Sequence, residues 1–194
     1  KVFNFIPSSV GDKLKFTQID PLEKSIHMRT AVDLLIKAGI VLPVFHSSCS
    51  ALPLQAGADE RIYKPYFLDV GLMNGVRGVR NLAPERLLSI QFLNEGKMAE
   101  QFICQHLMYR DVPSRKPVLN FWLREERESG AEVDFVISSG ETIIPIEVKA
   151  GTSGSMKSLI QFAAQKNTKF AVRFDQNQPS IAKASHSIKT GGNN

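Results

Sequence analysis

The stretch "AEVDFVISSGETIIPIEVKAG", residues 131–151, holds two apolar runs joined by a glycine-bearing turn, and each run carries charge where a core strand would not. In extended chain, successive side chains alternate between faces. Glu132 and Asp134 therefore share one face of the first run. In the second, Ile144, Ile146 and Val148 form an apolar face, while Glu147 and Lys149 share the other. "SSGE" is of hairpin length, so the second strand returns antiparallel and brings Glu147 and Lys149 alongside Asp134. A charge pair on a buried strand is costly unless something uses it. Two carboxylates with free oxygen sites suit a hard cation, and Mg²⁺ favours a few carboxylates plus waters. A lysine beside them suits a point-charge role toward a phosphate or an attacking water. Pro145 fits less well, since proline removes a ladder donor and prefers edges or bulges. The same residues also allow a salt-bridged hairpin without metal. Glu-x-Lys by itself carries no weight, because Glu95 and Lys97 repeat it in a turn.

Upstream, "LAPERLLSIQFLNEGKMAEQFICQHLMYR" (82–110) reads as helical, with Pro84 in the first turn and "NEG" at 94–96 interrupting it. From about Lys97 onward, Glu100, Ile103, Cys104 and Leu107 recur at i, i+3, i+4 and i+7, which places Glu100 on the apolar side. Glutamate is rarely buried without a partner. Glu100 therefore either joins the carboxylates of the hairpin or reaches water at the helix edge. Clustered without compensation, such carboxylates raise one another's pKa, and a divalent cation removes that strain.

Elsewhere the pattern predicts a helix over "SIHMRTAVDLLIKAG" (25–39), with Ile26, Ala31, Val32, Leu34, Leu35 and Ala38 inward and Gly39 closing it. Strands follow at 40–45 and 62–73. A helix and then a hairpin resembles a winged-helix arrangement, so residues 1–80 are expected to form a winged-helix-like connector module. Residues 81–194 form the second expected domain. Its strands are "PVLNFWLRE" (117–125), "AEVDFVI" (131–137), "TIIPIEVKA" (142–150) and "KFAVRF" (169–174). A helix at 155–166 turns Met156, Leu159, Ile160 and Ala163 inward. The order of helix, three strands, helix and strand predicts an α/β fold, an α+β mixed sheet with helices on both faces.

Of the 194 residues, 43% are hydrophobic and 22% charged, an ordinary globular balance. The opening "KVFNFIP" shows no initiator Met, no signal pattern and no long apolar run. That predicts a cytoplasmic, soluble fragment of a longer protein with no membrane partner. Cys49 and Cys104 fit no metal or redox spacing and read as free thiols. His27, His46, His106 and His186 read as structural or surface positions. The net charge of +5 lies wholly after the charged strand, where Lys157, Lys166, Lys169, Arg173, Lys183 and Lys189 face Asp175 alone. Such clustering favours a phosphate backbone, with Lys157, Lys166 and Lys169 as candidate contacts. A solvated helix face with a basic tail is the plainer alternative.

At Asp134, Glu147-x-Lys149 and the helix-borne Glu100, the sequence resembles the PD-(D/E)XK nuclease superfamily, with its restriction-endonuclease-like core. More closely, it resembles the uncharacterised nuclease-like domain found C-terminal to AAA-type ATPase modules in bacteria and archaea. The blocks "IPSSVGDKLKF", "AVDLLIKAGIV", "LPL", "YKPYFLDVGLM", "GKMAEQFICQHL", "FWLREERESGAEVDFVI" and "IPIEVKAG" carry that resemblance over nearly the whole chain. It implies a Mg²⁺- or Mn²⁺-dependent DNA phosphodiesterase in which Asp134 and Glu147 ligate the ion. Lys149 would orient water and offset charge, and Glu100 would hold a second ion or its water. Gln161 falls where some members position substrate. Glu132 reads instead as a salt-bridge partner, with Arg124 a candidate. No G-x-x-x-x-G-K-[ST] occurs, so nucleotide binding, and ATP with it, is expected only on an absent ATPase half. The end at "GGNN" is read as falling before a last closing strand. DNA, the protein's own ATPase domain and a homo-oligomeric copy are the expected partners. The alternative to an enzyme is a non-catalytic DNA-binding or regulatory module of that ATPase.

Overall fold

In the computed structural model, which describes residues 1–78, 95–110, 118–124 and 130–183, the chain opens with α1 (Val2–Ser9), α2 (Phe16–Ile19) and α3 (Ser25–Lys37). Gly39 closes α3 at φ +70°, a conformation only glycine adopts freely. The buried stripe of α3 is turned from the expected one. Val32 is fully buried, with Met28, Leu35 and Ile36 packed beside it, whereas Ile26 and Leu34 are exposed. Positions 28, 31, 32, 35 and 36 form the helical face that meets α1, α2 and β1, and Ala31, Val32 and Leu35 of that face were legible from hydrophobicity.

β1 (Val41–Ser47) and β2 (Ala58–Phe67) follow as an antiparallel pair. The apolar run expected as one strand over 62–73 divides at Phe67. Asp69 then caps α4 (Val70–Val76), its Oδ1 accepting the Leu72 N–H at 2.8 Å. Pro43 lies opposite Pro65 in the β1–β2 register. Setting two prolines across from each other places two missing donors at one position instead of two.

Next come α5 (Glu95–Met108), β3 (Asn120–Leu123), β4 (Glu132–Ser139), β5 (Thr142–Val148), α6 (Lys157–Lys166) and β6 (Val172–Phe174). Pro84 and the first half of the long predicted helix lie outside the described residues. Gly96 is the second residue of α5, and the rest of the expected interruption at 94–96 reaches outside the described residues. The β4–β5 hairpin turns at Gly140, whose φ of +57° fits a two-residue turn with glycine first. Pro145 sits within β5 opposite Val136.

All six strands form one mixed sheet in the order β2-β1-β3-β4-β5-β6, with β1 parallel to β3 and β5 parallel to β6. The hairpin expected to act as a wing is thus the outer pair of the same sheet. The boundary expected at residue 80 lies outside the described residues. One face of the sheet packs Ile6, Val32, Tyr66, Cys104, Phe135 and Ile146 under α1, α3, α4 and α5. The other packs Trp122, Val133 and Val136 against Leu159 and Phe162 of α6. Phe162, rather than Met156, anchors α6. Its ring meets Trp122 edge-on at 5.2 Å, while Met156 stays exposed at the helix start. Helices on both faces follow the sequence expectation. Cys49 and Cys104 are free and buried. Among the described residues, no helix is long and apolar enough to cross a membrane.

A buried carboxylate and lysine cluster as the candidate functional site

The β3–β4 register slips between Asn120 and Trp122, so that Phe121 faces both Asp134 and Phe135. Such a bulge turns side chains out of strict alternation. Val133 and Val136 both pack on the α6 side, with Phe135 on the other. The β4–β5 pairing of Phe135 with Ile146 places Asp134 next in line opposite Glu147. There the ladder is taken over by a side chain. Asp134 Oδ2 accepts the Val148 N–H at 2.8 Å. Glu147 is 6% exposed; its Oε1 accepts from the Lys149 ammonium, and its buried Oε2 has no partner among the described residues. The Lys149 N–H donates to Phe174 O at 2.8 Å, which ties this end of β5 to β6. Gly154 passes close by, and a Cβ there would lie 3.0 Å from Lys149 Cδ.

Glu100 enters from α5. Gln101, fully buried on the same helix, bonds both main-chain groups of Phe67: the N–H to its Oε1 at 2.8 Å and the C=O from its Nε2 at 2.9 Å. Gln105 accepts the Val70 N–H at 2.9 Å. Lys97 holds the N-terminal segment through Ser8 O at 2.6 Å and the Asp12 carboxylate. With α5 so fixed, Glu100 Oε2 accepts from the Tyr66 hydroxyl at 2.9 Å. Gly11, at φ +78°, lies against it, and a Cβ there would come within 2.7 Å of that oxygen.

Lys64, on β2, completes the group, and sequence reasoning missed it. It is 1% exposed, its ammonium pairs with Glu132, stands 4.0 Å from Asp134 Oδ1 and lies 5.1 Å from the centre of the Phe121 ring. Glu132 is therefore an ion-pair residue, as expected, with Lys64 as its partner. Signals for Lys64, Tyr66 and Gly11 existed only as an odd lysine amid aromatics in "IYKPYF" and a glycine in "SSVGD".

Burial and then the Asp134 charge push Glu100 up to about 7. Asp134 is raised by burial against the pull of Lys64, and Glu147 by burial and then by Asp134. For Lys64, burial is the largest single influence and lowers the value, but Glu100, Glu132 and Asp134 together outweigh it and raise it. Lys64 therefore stays a cation.

The remaining predicted contacts lie apart from this cluster. Lys157 and Lys169 are exposed, on α6 and just beyond it, and Lys166 reaches Ser50 Oγ at 3.5 Å. Gln161, with its amide oxygen turned to Arg124, accepts from Arg124 Nε at 3.0 Å. Arg173 is held by Gly154 O at 2.9 Å and by Asp175. His27 bonds Glu23 at 2.8 Å, His106 donates to Phe102 O at 2.8 Å, and His46 is buried. Lys183 is exposed, whereas His186 and Lys189 lie outside the described residues.

The donors on offer are hard carboxylate oxygens, one of them buried and unpaired, which suits Mg²⁺ or Mn²⁺. Among the described residues, no three or more His, Cys, Asp or Glu are gathered to hold a metal ion. The carboxylates that could hold an ion are Asp134 and Glu147, with water needed for the rest of its shell.

Fold and site together define a mixed α/β domain with an acid–lysine cluster where a β-hairpin diverges. Residues 95–189 match the family model described as a domain of unknown function, DUF4143. That span includes Glu100, Asp134, Glu147 and Lys149 but not Lys64 or Gly11. No curated protein and no solved structure matches the chain.

Proposed function

We propose that this chain is the nuclease-like domain of an AAA-type ATPase protein and hydrolyses DNA phosphodiesters with Mg²⁺ or Mn²⁺, in the manner of the PD-(D/E)XK superfamily. The observation that carries the reading is Asp134 opposite Glu147 at the mouth of the hairpin, with Glu147 Oε2 buried and without a partner among the described residues and Lys149 beside it. An unpaired buried carboxylate oxygen is costly and calls for a cation or a donor. Asp134 and Glu147 would hold the ion, which when bound would supply Lewis acidity toward a phosphate oxygen. Lys149, anchored on Glu147, would orient water and offset charge on the phosphate. Glu100, with its proton affinity near neutrality, is suited to exchange a proton with water at the site. The exposed Lys157 and Lys169, with Lys166 beside them, would add electrostatic attraction for the backbone.

One observation favours the second reading, a non-catalytic DNA-binding or regulatory module: Lys64 already compensates Glu132 and Asp134. Incubation with supercoiled, linear and single-stranded DNA in Mg²⁺ or Mn²⁺ separates the two. Cleavage that vanishes in Asp134→Asn, Glu147→Gln and Lys149→Ala supports the enzyme. Salt-sensitive binding without cleavage supports the module. Cleavage unchanged in all three variants overturns the site.

A further inference from the structure

The four carboxylates Glu100, Glu132, Asp134 and Glu147 face two ammonium groups, Lys64 and Lys149, leaving an excess of two negative charges when all are ionised. Lysine is almost never buried without charge partners, and Lys64 is among the largest fully buried side chains of the chain. It comes from β2, which β1 and β3 separate from β4, and passes the Phe121 ring to reach Glu132 and Asp134. A lysine serving only solubility would not make that crossing. Its reach ends at Asp134, whose other oxygen is already taken by the Val148 N–H. A cation arriving at Asp134 thus meets one oxygen that a main-chain donor uses and another that lies in the field of an ammonium.

We propose that Lys64 is a built-in competitor of the divalent ion: a positioning residue that neutralises Asp134 in the metal-free protein and weakens metal binding there. The inference rests on the metal-binding reading above. Glu132 acts as the second seat of the ammonium and draws it off Asp134. Charge on Lys64 and charge on the ion act on the same carboxylate, so each weakens the hold of the other.

Titration with Mn²⁺ alone, followed by calorimetry and by the spin resonance of free Mn²⁺, tests this without any reaction. Lys64→Met should bind Mn²⁺ at least tenfold more tightly than the unmodified chain, a direction that a merely structural lysine would not produce. Glu132→Gln should bind it several-fold more weakly, because the freed ammonium leans on Asp134. Should Lys64→Met fold only when Mn²⁺ is supplied, that rescue supports the same conclusion. Equal affinity in all three proteins overturns the role of Lys64 and leaves the metal site standing. Absence of Mn²⁺ binding in all three, with folded protein, overturns the metal reading and this one with it.

Discussion

Gly11 shows how narrowly single positions are set around Glu100. Its φ of +78° lies in the left-handed region, and an added Cβ would sit 2.7 Å from Glu100 Oε2. Gly11→Ala therefore combines two costs, roughly 1–2 kcal/mol for the backbone and a further steric part from the carboxylate. The two are separable. In a Glu100→Ala background the steric part should disappear while the backbone part stays, so urea denaturation of the four proteins should give a clear coupling between the sites. Strict additivity would mean that Gly11 and Glu100 do not touch. The spacing of Glu100, Ile103, Cys104 and Leu107 made legible which side of the helix Glu100 takes, but left open whether it joins the hairpin carboxylates or reaches water. Gly11 and Lys64 were not legible. Their partners lie 89 and 68–70 positions away along the chain, and no local period reports a contact of that range.

The elements divide in the same way. The β4–β5 hairpin was readable because alternation and a glycine turn are local signals, and β6 and α6 followed from similar patterns. Period two could not reveal the bulge opposite Phe121, which depends on how β3 meets β4. The end of β2 was misread because "YFLDVGLM" is apolar on both sides of Asp69, and the cap was the only mark of the change. α5 depends on a device invisible to hydrophobicity: Gln101 bonds both main-chain groups of Phe67 as a neighbouring strand would. Gln101→Ala leaves a buried N–H and a buried C=O unpaired, a loss on the order of 3 kcal/mol. Gln105→Ala exposes only the Val70 N–H in the first turn of α4, where water can reach it, and should cost about 1 kcal/mol. Chemical denaturation ranks the pair. A Gln105 loss equal to that of Gln101 would show that α5 is not held mainly at Phe67.

At the scale of the molecule, one sheet gathers acids from α5, β4 and β5 and a lysine from β2, and that gathering has a cost that depends on pH. The Glu100 carboxyl is raised from 4.5 to about 7, and Asp134 and Glu147 are raised as well. A carboxyl raised on folding binds its proton more tightly in the folded chain than in the unfolded one. Its stabilising contribution is therefore complete below about pH 4.5 and is lost as pH climbs through about 7. Half-buried surface carboxylates such as Asp59, lowered to about 2 by Arg61, act in the opposite sense, but their window lies below pH 4. In metal-free buffer with chelator, the melting temperature should accordingly fall between pH 5 and pH 8, and Glu100→Gln should flatten that fall. Mg²⁺ or Mn²⁺ at millimolar concentration should restore the lost stability at pH 8 and do less at pH 5, where Glu100 holds its proton and the site carries less negative charge. A melting profile that is level over this range, or one that metal shifts equally at both ends, would mean that the acids of the sheet do not titrate as one site.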